Sequence, residues 1–231
     1  MPVQYEGILV EHRAVRERAG LFDVSHMGEF EFTGPDAFAT LQRLTPNDIG
    51  KLADGRCHYS AFLTEAGTFV DDLLVYRRKE DSYMLVVNAG NTPKDFEWAR
   101  SHSGGQLRLE NKTDAYALIA VQGPLAVRLV ARVADSDPSD LPYYGFRNMN
   151  VLGEPALQPL GQPLGGLRPP DLEQHVGQFL GEPLVDAAQR LMADGEVDGR
   201  AEGGQGQGQH RPVPEGQPAA DAHGGGSSPR R

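Results

Sequence analysis

The sequence has very little cysteine: among its 231 residues, only Cys57 is one. A single cysteine excludes a disulfide framework and a zinc site built from cysteines, and it favours a reducing, intracellular compartment. Because no transit peptide is seen, we expect a cytoplasmic location. Basic residues are also few, since 22 Lys and Arg stand against 32 Asp and Glu and give a net charge of −10. We therefore expect no nucleic-acid partner, because non-specific binding to phosphates requires basic patches.

Long apolar runs are missing as well. No run approaches the roughly 18 residues that a helix needs to span a bilayer. The first residues, MPVQYEGILVEH, do not have the charged and then apolar pattern of a signal peptide. We expect a soluble protein that has no membrane partner.

Several familiar catalytic motifs are absent too. The sequence contains no GxGxxG or GxxxxGK[ST] phosphate loop, no GxSxG nucleophile turn and no HExxH zinc motif. Its histidines are scattered and none has metal-ligand spacing, so we predict no metal site. Any chemistry must come from polar side chains that lie on strands and turns.

Residue types are distributed unevenly, with a break near residue 150. Sixteen of the 17 aromatic residues precede it, and Phe179 is the exception. Residues 151–231 hold 16 of the 28 glycines and 10 of the 17 prolines, and they contain no Ile, Lys, Asn, Thr, Tyr, Trp or Cys. A segment with so little to bury cannot offset the entropy of ordering it, so residues 201–231 are predicted to be a disordered, low-complexity tail.

Two origins fit this tail. The missing residue types use AT-rich codons and the abundant ones use GC-rich codons, which is typical of GC-rich DNA translated in a shifted frame. The alternative is a natural low-complexity tail. Between the tail and residue 150, the stretch 151–200 is predicted to be partly helical at best, in DLEQHVGQFLGEPLVDAAQRLMADG.

Residues 1–150 predict one α+β domain, with antiparallel or mixed sheets and packed helices. Hydrophobic periodicity and turn residues predict helices at 6–20, 35–44, 92–102 and 123–134, and strands at 28–34, 58–65, 69–76, 82–89, 106–111 and 116–123. The third helix is expected to have Thr92 as its cap and Asp95 close to a capping box. A strand, a Gly-Pro pair and a helix occur twice, at Gly34 and at Gly123.

The strand FVDDLLVY has two adjacent carboxylates, Asp71 and Asp72, in an apolar context. Neighbouring side chains on a strand point to opposite faces, so one of the two faces the interior. Burial of a carboxylate in the interior costs roughly several kcal/mol of folding free energy unless the carboxylate is paired. Asp72 is therefore either a carboxylate satisfied by backbone or arginine donors, or a group that receives a cationic or N–H-rich ligand.

The other candidate residues also allow two interpretations. Asn88 is either a turn former or a ligand contact, and Tyr59 is either a core aromatic or a hydroxyl in a pocket. In the turn DVSHMGE, Met27 is ordinarily core filler and His26 is ordinarily structural. Cys57 has no adjacent base and is expected to be a small buried hydrophobe.

The order of these segments resembles one family closely. MPVQYEGILVEHRAVRERAGLFDVSHMGEF is similar to the opening of glycine cleavage system T-proteins, the folate-dependent aminomethyltransferases. The likeness continues through FTGPDAF, HYSAFLTEAGTFVDDLLVY, LVVNAGNTPKDFEW, ALIAVQGP and LPYYGFR. The chain is identified on these motifs as similar to the folate-binding N-terminal domain of that family.

The resemblance implies a reaction and a site. Members take an aminomethyl group from the lipoyl arm of H-protein and pass it to tetrahydrofolate, giving 5,10-methylenetetrahydrofolate and ammonia. It implies that Asp72 is the catalytic carboxylate in the folate cavity. It also implies that Met27 packs on the pterin, that Tyr59 hydrogen-bonds in the cavity, and that Val86 and Asn88 line it.

Two departures accompany the likeness. The family begins about 20–25 residues upstream of the position that matches Met1, and the motif RTGYTGEDGFE that follows near residue 157 is absent here. We therefore expect an inactive or impaired fragment. The alternative is a non-catalytic relative of the iron–sulfur assembly type, whose KGCYxGQE motif is absent. A folate domain fused to a flavin amine oxidase is a further alternative, and it needs a dinucleotide-binding region that this sequence lacks.

Overall fold

Antiparallel strands dominate the architecture, and helices pack against them. The structure, a computed structural model, describes residues 4–159 and 176–179. Its α-helices are α1 Ile8–Glu17, α2 Ala37–Leu44, α3 Thr92–Ser101 and α4 Ala126–Ala131. Its strands are β1 Gly20–Asp23, β2 Gly28–Thr33, β3 Arg56–Leu63, β4 Phe69–Lys79, β5 Ser82–Val87, β6 Arg108–Asn111, β7 Ile119–Gln122, β8 Phe146–Val151, β9 Glu154–Pro159 and β10 Val176–Phe179. The predicted α+β class with antiparallel sheets is confirmed.

The largest sheet has five strands in the order β3-β4-β5-β2-β6, and every neighbouring pair is antiparallel. Alternation along β2 puts Phe30 and Phe32 on one face and Glu29 and Glu31 on the other. The first face meets α2 and α3 and forms a core that contains Leu41, Leu44 and Ala99 as well as the two phenylalanines. This packing positions α3 over the end of β4.

The second face of the five-stranded sheet is also covered. Its cluster of buried side chains consists of Cys57, Tyr76, Met84, Val86, Leu118, Phe146 and Leu157. Val24, Met27, Leu74, Tyr116 and Tyr144 pack against this cluster from its margin. Because both faces are buried, polar residues that alternate with the phenylalanines of β2 do not automatically face water.

A smaller sheet joins segments that are distant in sequence, with the strand order β1-β7-β10. The strand β10, Val176–Phe179, pairs antiparallel with β7 through Val121, Ala120 and Ile119. Within the stretch 171–195, which was predicted to be partly helical at best, these four residues form a strand, because the free edge of β7 supplies backbone hydrogen-bond partners that local periodicity cannot reveal. The rest of that stretch, and the predicted disordered tail at 201–231, lie outside the described residues.

Besides β10, the strands β1, β8 and β9 were not predicted from the sequence. Residues Gly20–Asp23 form a strand, although the first helix was expected to run to Gly20; it ends at Glu17 instead. The hairpin of β8 and β9 pairs Phe146 with Pro159 and Val151 with Glu154, so the folded region continues past residue 150. Among the described residues, no helix is both long and apolar enough to cross a membrane.

The two Gly-Pro turns of the internal repeat have matching backbones. Gly34 has φ 117° and Gly123 has φ 120°, in the region that favours glycine. In both turns the glycine carbonyl accepts a hydrogen bond at 3.0 Å from the residue three positions later, Ala37 or Ala126. The faint sequence repeat thus corresponds to one local turn solution that is used twice.

Substitution of Gly123 by alanine should destabilise the fold by roughly 2 kcal/mol or somewhat more. A Cβ atom at Gly123 would lie 2.5 Å from the Val15 carbonyl oxygen and 2.7 Å from that of Arg18, so strain in φ is compounded by contact with backbone. The matched control is Gly67→Ala, where φ is 78° but nothing lies within 4 Å. Urea unfolding of both variants measures the difference, and equal losses would contradict the steric argument.

Candidate functional site

Four of the predicted site residues meet at one end of three adjacent strands. In the antiparallel register Tyr59 of β3 faces Leu74 of β4, and Leu74 faces Val86 of β5. Asp72 lies two positions from Leu74 and opposite Ala61, so its side chain is on the same face as Tyr59 and Val86. The sheet therefore places three predicted residues on one surface, and the fourth, Asn88, directly follows β5.

Asp72 is exposed at the edge of this surface, and its position is fixed by Asn88. The Asn88 side-chain amide donates to Asp72 Oδ1 at 3.0 Å and reaches the Asp72 carbonyl oxygen at 3.3 Å. The carboxylate therefore retains accepting capacity for a group that arrives from solvent. Asn88, predicted to line a cavity, thus also contacts the predicted catalytic carboxylate directly.

Asp71, by contrast, faces the opposite side of β4, towards α3, and is half-buried. It accepts hydrogen bonds from Asn88 Nδ2 at 3.2 Å and from Asn91 Nδ2 at 3.0 Å. Burial acts to raise the pKa of Asp71, but hydrogen bonds with Asp95, Asn91 and Asn88 outweigh it and lower the pKa. Of the adjacent pair, Asp71 is the residue with internal partners and Asp72 is the one available to a ligand.

The predicted packing residues form an apolar floor beside Asp72. Val86 is buried, and Met27 and Leu74 pack against the same cluster. Tyr59 is 54% exposed, so it is not a core aromatic. Its ring makes an edge-to-face contact with Tyr144 at a centroid distance of 6.2 Å, and no hydrogen bond of its hydroxyl occurs among the described residues. The exposed Tyr59 ring and the partly exposed Met27 and Leu74 together offer a partly apolar surface near the carboxylate.

The turn between β1 and β2 delivers Met27 to this surface. Asp23 Oδ1 accepts a hydrogen bond from the Ser25 backbone at 3.0 Å, and the Ser25 hydroxyl accepts one from the Leu118 backbone at 2.9 Å. The first bond closes the turn locally, and the second ties it to the chain 93 residues away. His26 is exposed at the tip of the turn.

Glu29 is a residue that the sequence reasoning missed. It pairs with Val86 across β2 and β5, it is fully buried, and neither of its carboxyl oxygens has a hydrogen-bond partner among the described residues. Burial raises the pKa of Glu29 to about 8. The alternating pattern GEFEFT suggests that this glutamate faces water, and only the cover on the second face of the sheet shows otherwise.

Its neighbour on the same face, Glu31, is paired. Arg78 donates to Glu31 Oε1 at 2.7 Å, and the Tyr116 hydroxyl also donates to Oε1. Burial would raise the pKa of Glu31, but these partners lower it. The contrast identifies Glu29 as the unusual carboxyl of β2.

Other reactive side chains do not form a catalytic group here. Burial raises the pKa of Cys57 to about 12, so this thiol is unreactive at neutral pH, as expected for a buried hydrophobe. Burial also lowers the pKa of His58. Within the described part of the chain, no three His, Cys, Asp or Glu side chains are grouped so that they could hold a metal ion.

The arrangement suits binding and orientation more than covalent catalysis. An exposed carboxylate held by an amide can accept N–H groups of a ligand or stabilise a developing positive charge. The apolar floor and the tyrosine ring suit a flat heterocycle. No activated nucleophile adjoins Asp72 among the described residues, so the attacking group would have to belong to the ligand.

Comparison with protein families and known proteins shows which family this chain belongs to. The family model described as GCVT N-terminal domain matches residues 1–158. An aminomethyltransferase of Chloroherpeton thalassium is 50% identical over 158 residues, which are 68% of this chain and 44% of that protein. The aminomethyltransferase of Bacillus subtilis (strain 168) is 47% identical over 158 residues, again 68% of this chain and 44% of the relative.

Solved structures show the same fold. The glycine cleavage system aminomethyltransferase T from Bartonella henselae superposes with a TM-score of 0.70 at 28% identity, over 87% of this chain and 52% of that one. A heterotetrameric sarcosine oxidase from Corynebacterium sp. U-96 superposes with a TM-score of 0.55 at 13% identity, over 80% of this chain, a likeness of fold alone. The chain spans less than half the length of the curated relatives named above.

Proposed function

This chain belongs to the GCVT N-terminal domain family, and we propose on that basis that it is the folate-binding part of a glycine cleavage aminomethyltransferase. The substrates are tetrahydrofolate and the aminomethyl group on the lipoyl arm of H-protein, which is the protein partner. The products are 5,10-methylenetetrahydrofolate, ammonia and the dihydrolipoyl arm. A cytoplasmic location forms part of the proposal, in keeping with the single buried cysteine.

The observation that carries the proposal is the exposed Asp72 carboxylate beside an apolar floor. Asn88 holds Asp72 at 3.0 Å, while Met27 and the exposed Tyr59 provide the adjoining surface above the buried Val86. These residues fit a pterin, which is flat and rich in N–H groups. Asp72 would accept folate N–H groups and so orient N5 towards the aminomethyl carbon.

The chemistry requires little from the protein beyond orientation and charge. The methylene carbon exchanges its bonds to the amine nitrogen and the lipoyl sulfur for bonds to N5 and N10 of the folate. The two protons that leave N5 and N10 appear on ammonia and on the thiol, so no oxidant or reductant is needed. Asp72, as an anion, would stabilise the positive charge that develops while the amine departs.

A transfer experiment tests this function. Residues 1–158 of this chain replace the matching part of the Bacillus subtilis aminomethyltransferase, to which they are 47% identical. The chimaera should form 5,10-methylenetetrahydrofolate from tetrahydrofolate and aminomethylated H-protein. A folded chimaera that binds tetrahydrofolate but yields no product, beside an active parent enzyme, would contradict the proposal.

The chain by itself should bind tetrahydrofolate weakly, with a dissociation constant above about 100 μM. It spans less than half of its relatives' length, and it lacks the RTGYTGEDGFE motif that the family resemblance leads one to expect. Fewer groups then hold the ligand, while the cost of immobilising it is unchanged. Isothermal titration under anaerobic conditions measures this affinity, with the Bacillus subtilis enzyme as control, and a low micromolar value would refute the expectation.

A further inference from the structure

The Asn88 amide serves more acceptors than it can satisfy at once. Its nitrogen lies 3.0 Å from Asp72 Oδ1, 3.3 Å from the Asp72 carbonyl oxygen and 3.2 Å from Asp71 Oδ1. A side-chain amide carries two protons, so three acceptors compete for two donors. If Asp71 accepts a stronger hydrogen bond from this amide, the hydrogen bond from the amide to Asp72 therefore becomes weaker, and the reverse also holds.

The side chain of Asp71 is a hydrogen-bond partner of a second carboxyl, that of Asp95 on α3. Asp95 is fully buried, and apart from Asp71 and Lys94 its carboxyl oxygens have no hydrogen-bond partner among the described residues. The capping role predicted for the third helix is therefore wrong: Asn91 precedes the helix without a side-chain cap, and Thr92 donates to the Asn88 carbonyl oxygen at 3.3 Å. Asp95 faces the strand instead of the helix end.

Few charges compensate the two carboxyls. Among the described residues, Lys94 is the cation that faces them: its Nζ lies 3.5 Å from Asp95 Oδ1 and donates to the Val70 carbonyl oxygen at 2.6 Å. From β4 the facing charged group is Asp71 itself, and the turn after β5 contributes the neutral amides of Asn88 and Asn91. Two carboxylates so placed cannot both ionise cheaply, so they hold one proton between them near neutrality.

The environment of each carboxyl indicates where that proton resides. Burial first, and then the neighbouring Asp71, raise the pKa of Asp95 to about 7. The pKa of Asp71 is lowered, because its hydrogen bonds outweigh burial. Asp95 is therefore the member of the pair that carries the proton, and in its protonated form it can donate a hydrogen bond to Asp71.

We propose that Asp71 and Asp95 form a proton-sharing pair that positions Asn88 and, through it, the Asp72 carboxylate. While Asp95 is protonated, Asp71 has a donor from α3, and Asn88 is left to hold Asp72. When Asp95 loses its proton, Asp71 loses that donor and accepts a stronger hydrogen bond from the Asn88 amide. The hydrogen bond from Asn88 to Asp72 Oδ1 then weakens. Asp71 and Asp95 are thus positioning residues; their functional consequence rests on the proposed function, whereas the hydrogen-bond exchange does not.

Nuclear magnetic resonance of the full chain tests the exchange without any ligand. Side-chain carboxyl carbons of Asp71, Asp72 and Asp95, and the side-chain amide of Asn88, are followed between about pH 5.5 and about pH 8.5. The Asn88 amide should shift with the same midpoint as the Asp95 carboxyl, near 7. In Asp95→Asn this shift should vanish, whereas the exposed control Asp114→Asn should retain it.

Each outcome decides the matter. An Asn88 amide that does not follow the Asp95 titration in the native chain overturns the proposal, even if Asp95→Asn fails to fold. Concerted titration supports it, whether or not the chimaera described above is active. If the chimaera is active, its kcat should fall as pH rises through about 7. The Asp95→Asn variant of the chimaera should not show this fall in kcat. If the variant shows it as well, the link between Asp95 and Asp72 is overturned. An inactive chimaera counts against the proposed function alone.

Discussion

Replacement of Asp72 by asparagine should lower the kcat of the chimaera by roughly 10²–10³-fold. Asparagine keeps the size of the side chain but removes the negative charge that would stabilise the departing amine. Asp72 is exposed, and among the described residues its carboxylate accepts a hydrogen bond from the Asn88 amide alone. The substitution should therefore leave the stability of the fold almost unchanged. Single-turnover formation of 5,10-methylenetetrahydrofolate measures the effect.

The control for Asp72→Asn is Asp81→Asn, at the exposed turn between β4 and β5. It makes the same change of charge on the same hairpin, at the end away from the site, and should alter kcat by less than about twofold. Equal losses in the two variants would indicate a general effect of charge on the protein. An unchanged kcat for Asp72→Asn would remove this carboxylate from the mechanism.

Glu29→Gln should remove a strong pH dependence of stability. The pKa of Glu29 is raised to about 8 in the fold from an ordinary value of 4.5. Below the ordinary value the carboxyl is protonated in both the folded and the unfolded chain. As pH rises, the unfolded chain ionises first, so the stability contributed by the folded acid is lost progressively until the pH passes about 8. The loss is roughly 3–5 kcal/mol, because a tenfold change in an acid dissociation constant corresponds to about 1.36 kcal/mol.

The measurement is the free energy of unfolding at acidic and at mildly alkaline pH, for native chain and variant. Glu29→Gln should flatten the decline, and the exposed Glu65→Gln should leave it as in the native chain. Asp95 contributes a decline of the same sign, since its pKa is also raised, so the informative quantity is the difference between variants. A slope unchanged by Glu29→Gln would show that this carboxyl ionises normally in the fold.

Much of the fold was predictable because its signals are local. Alternation in GEFEFT and the apolar runs of β4 and β5 predict strands of period 2, and the two Gly-Pro turns predict where helices begin. The strands β1 and β10 were missed because they pair with β7, about a hundred and about 55 residues away in sequence. Such pairing leaves no periodic trace in a four-residue segment.

The candidate site divides in the same way. The adjacent pair Asp71 and Asp72 raised the question of which carboxylate faces a ligand, and strand alternation limited the answer to one of the two. The choice of Asp72 came from the family resemblance and stays a prediction, while in the structure Asp71 is the residue that contacts both Asn88 and Asn91. The double role of Asn88 was invisible, since it depends on a distance between two strands.

The sequence by itself determined the family, the antiparallel α+β class and the fact that Asp71 and Asp72 lie on opposite faces of β4. Tertiary structure alone decided which polar groups are deprived of water. Glu29 and Asp95 occupy positions that are polar and outward by local pattern, yet both are fully buried. Local periodicity tells which side of an element a residue occupies, but the ionisation of that residue depends on what distant segments place against that side.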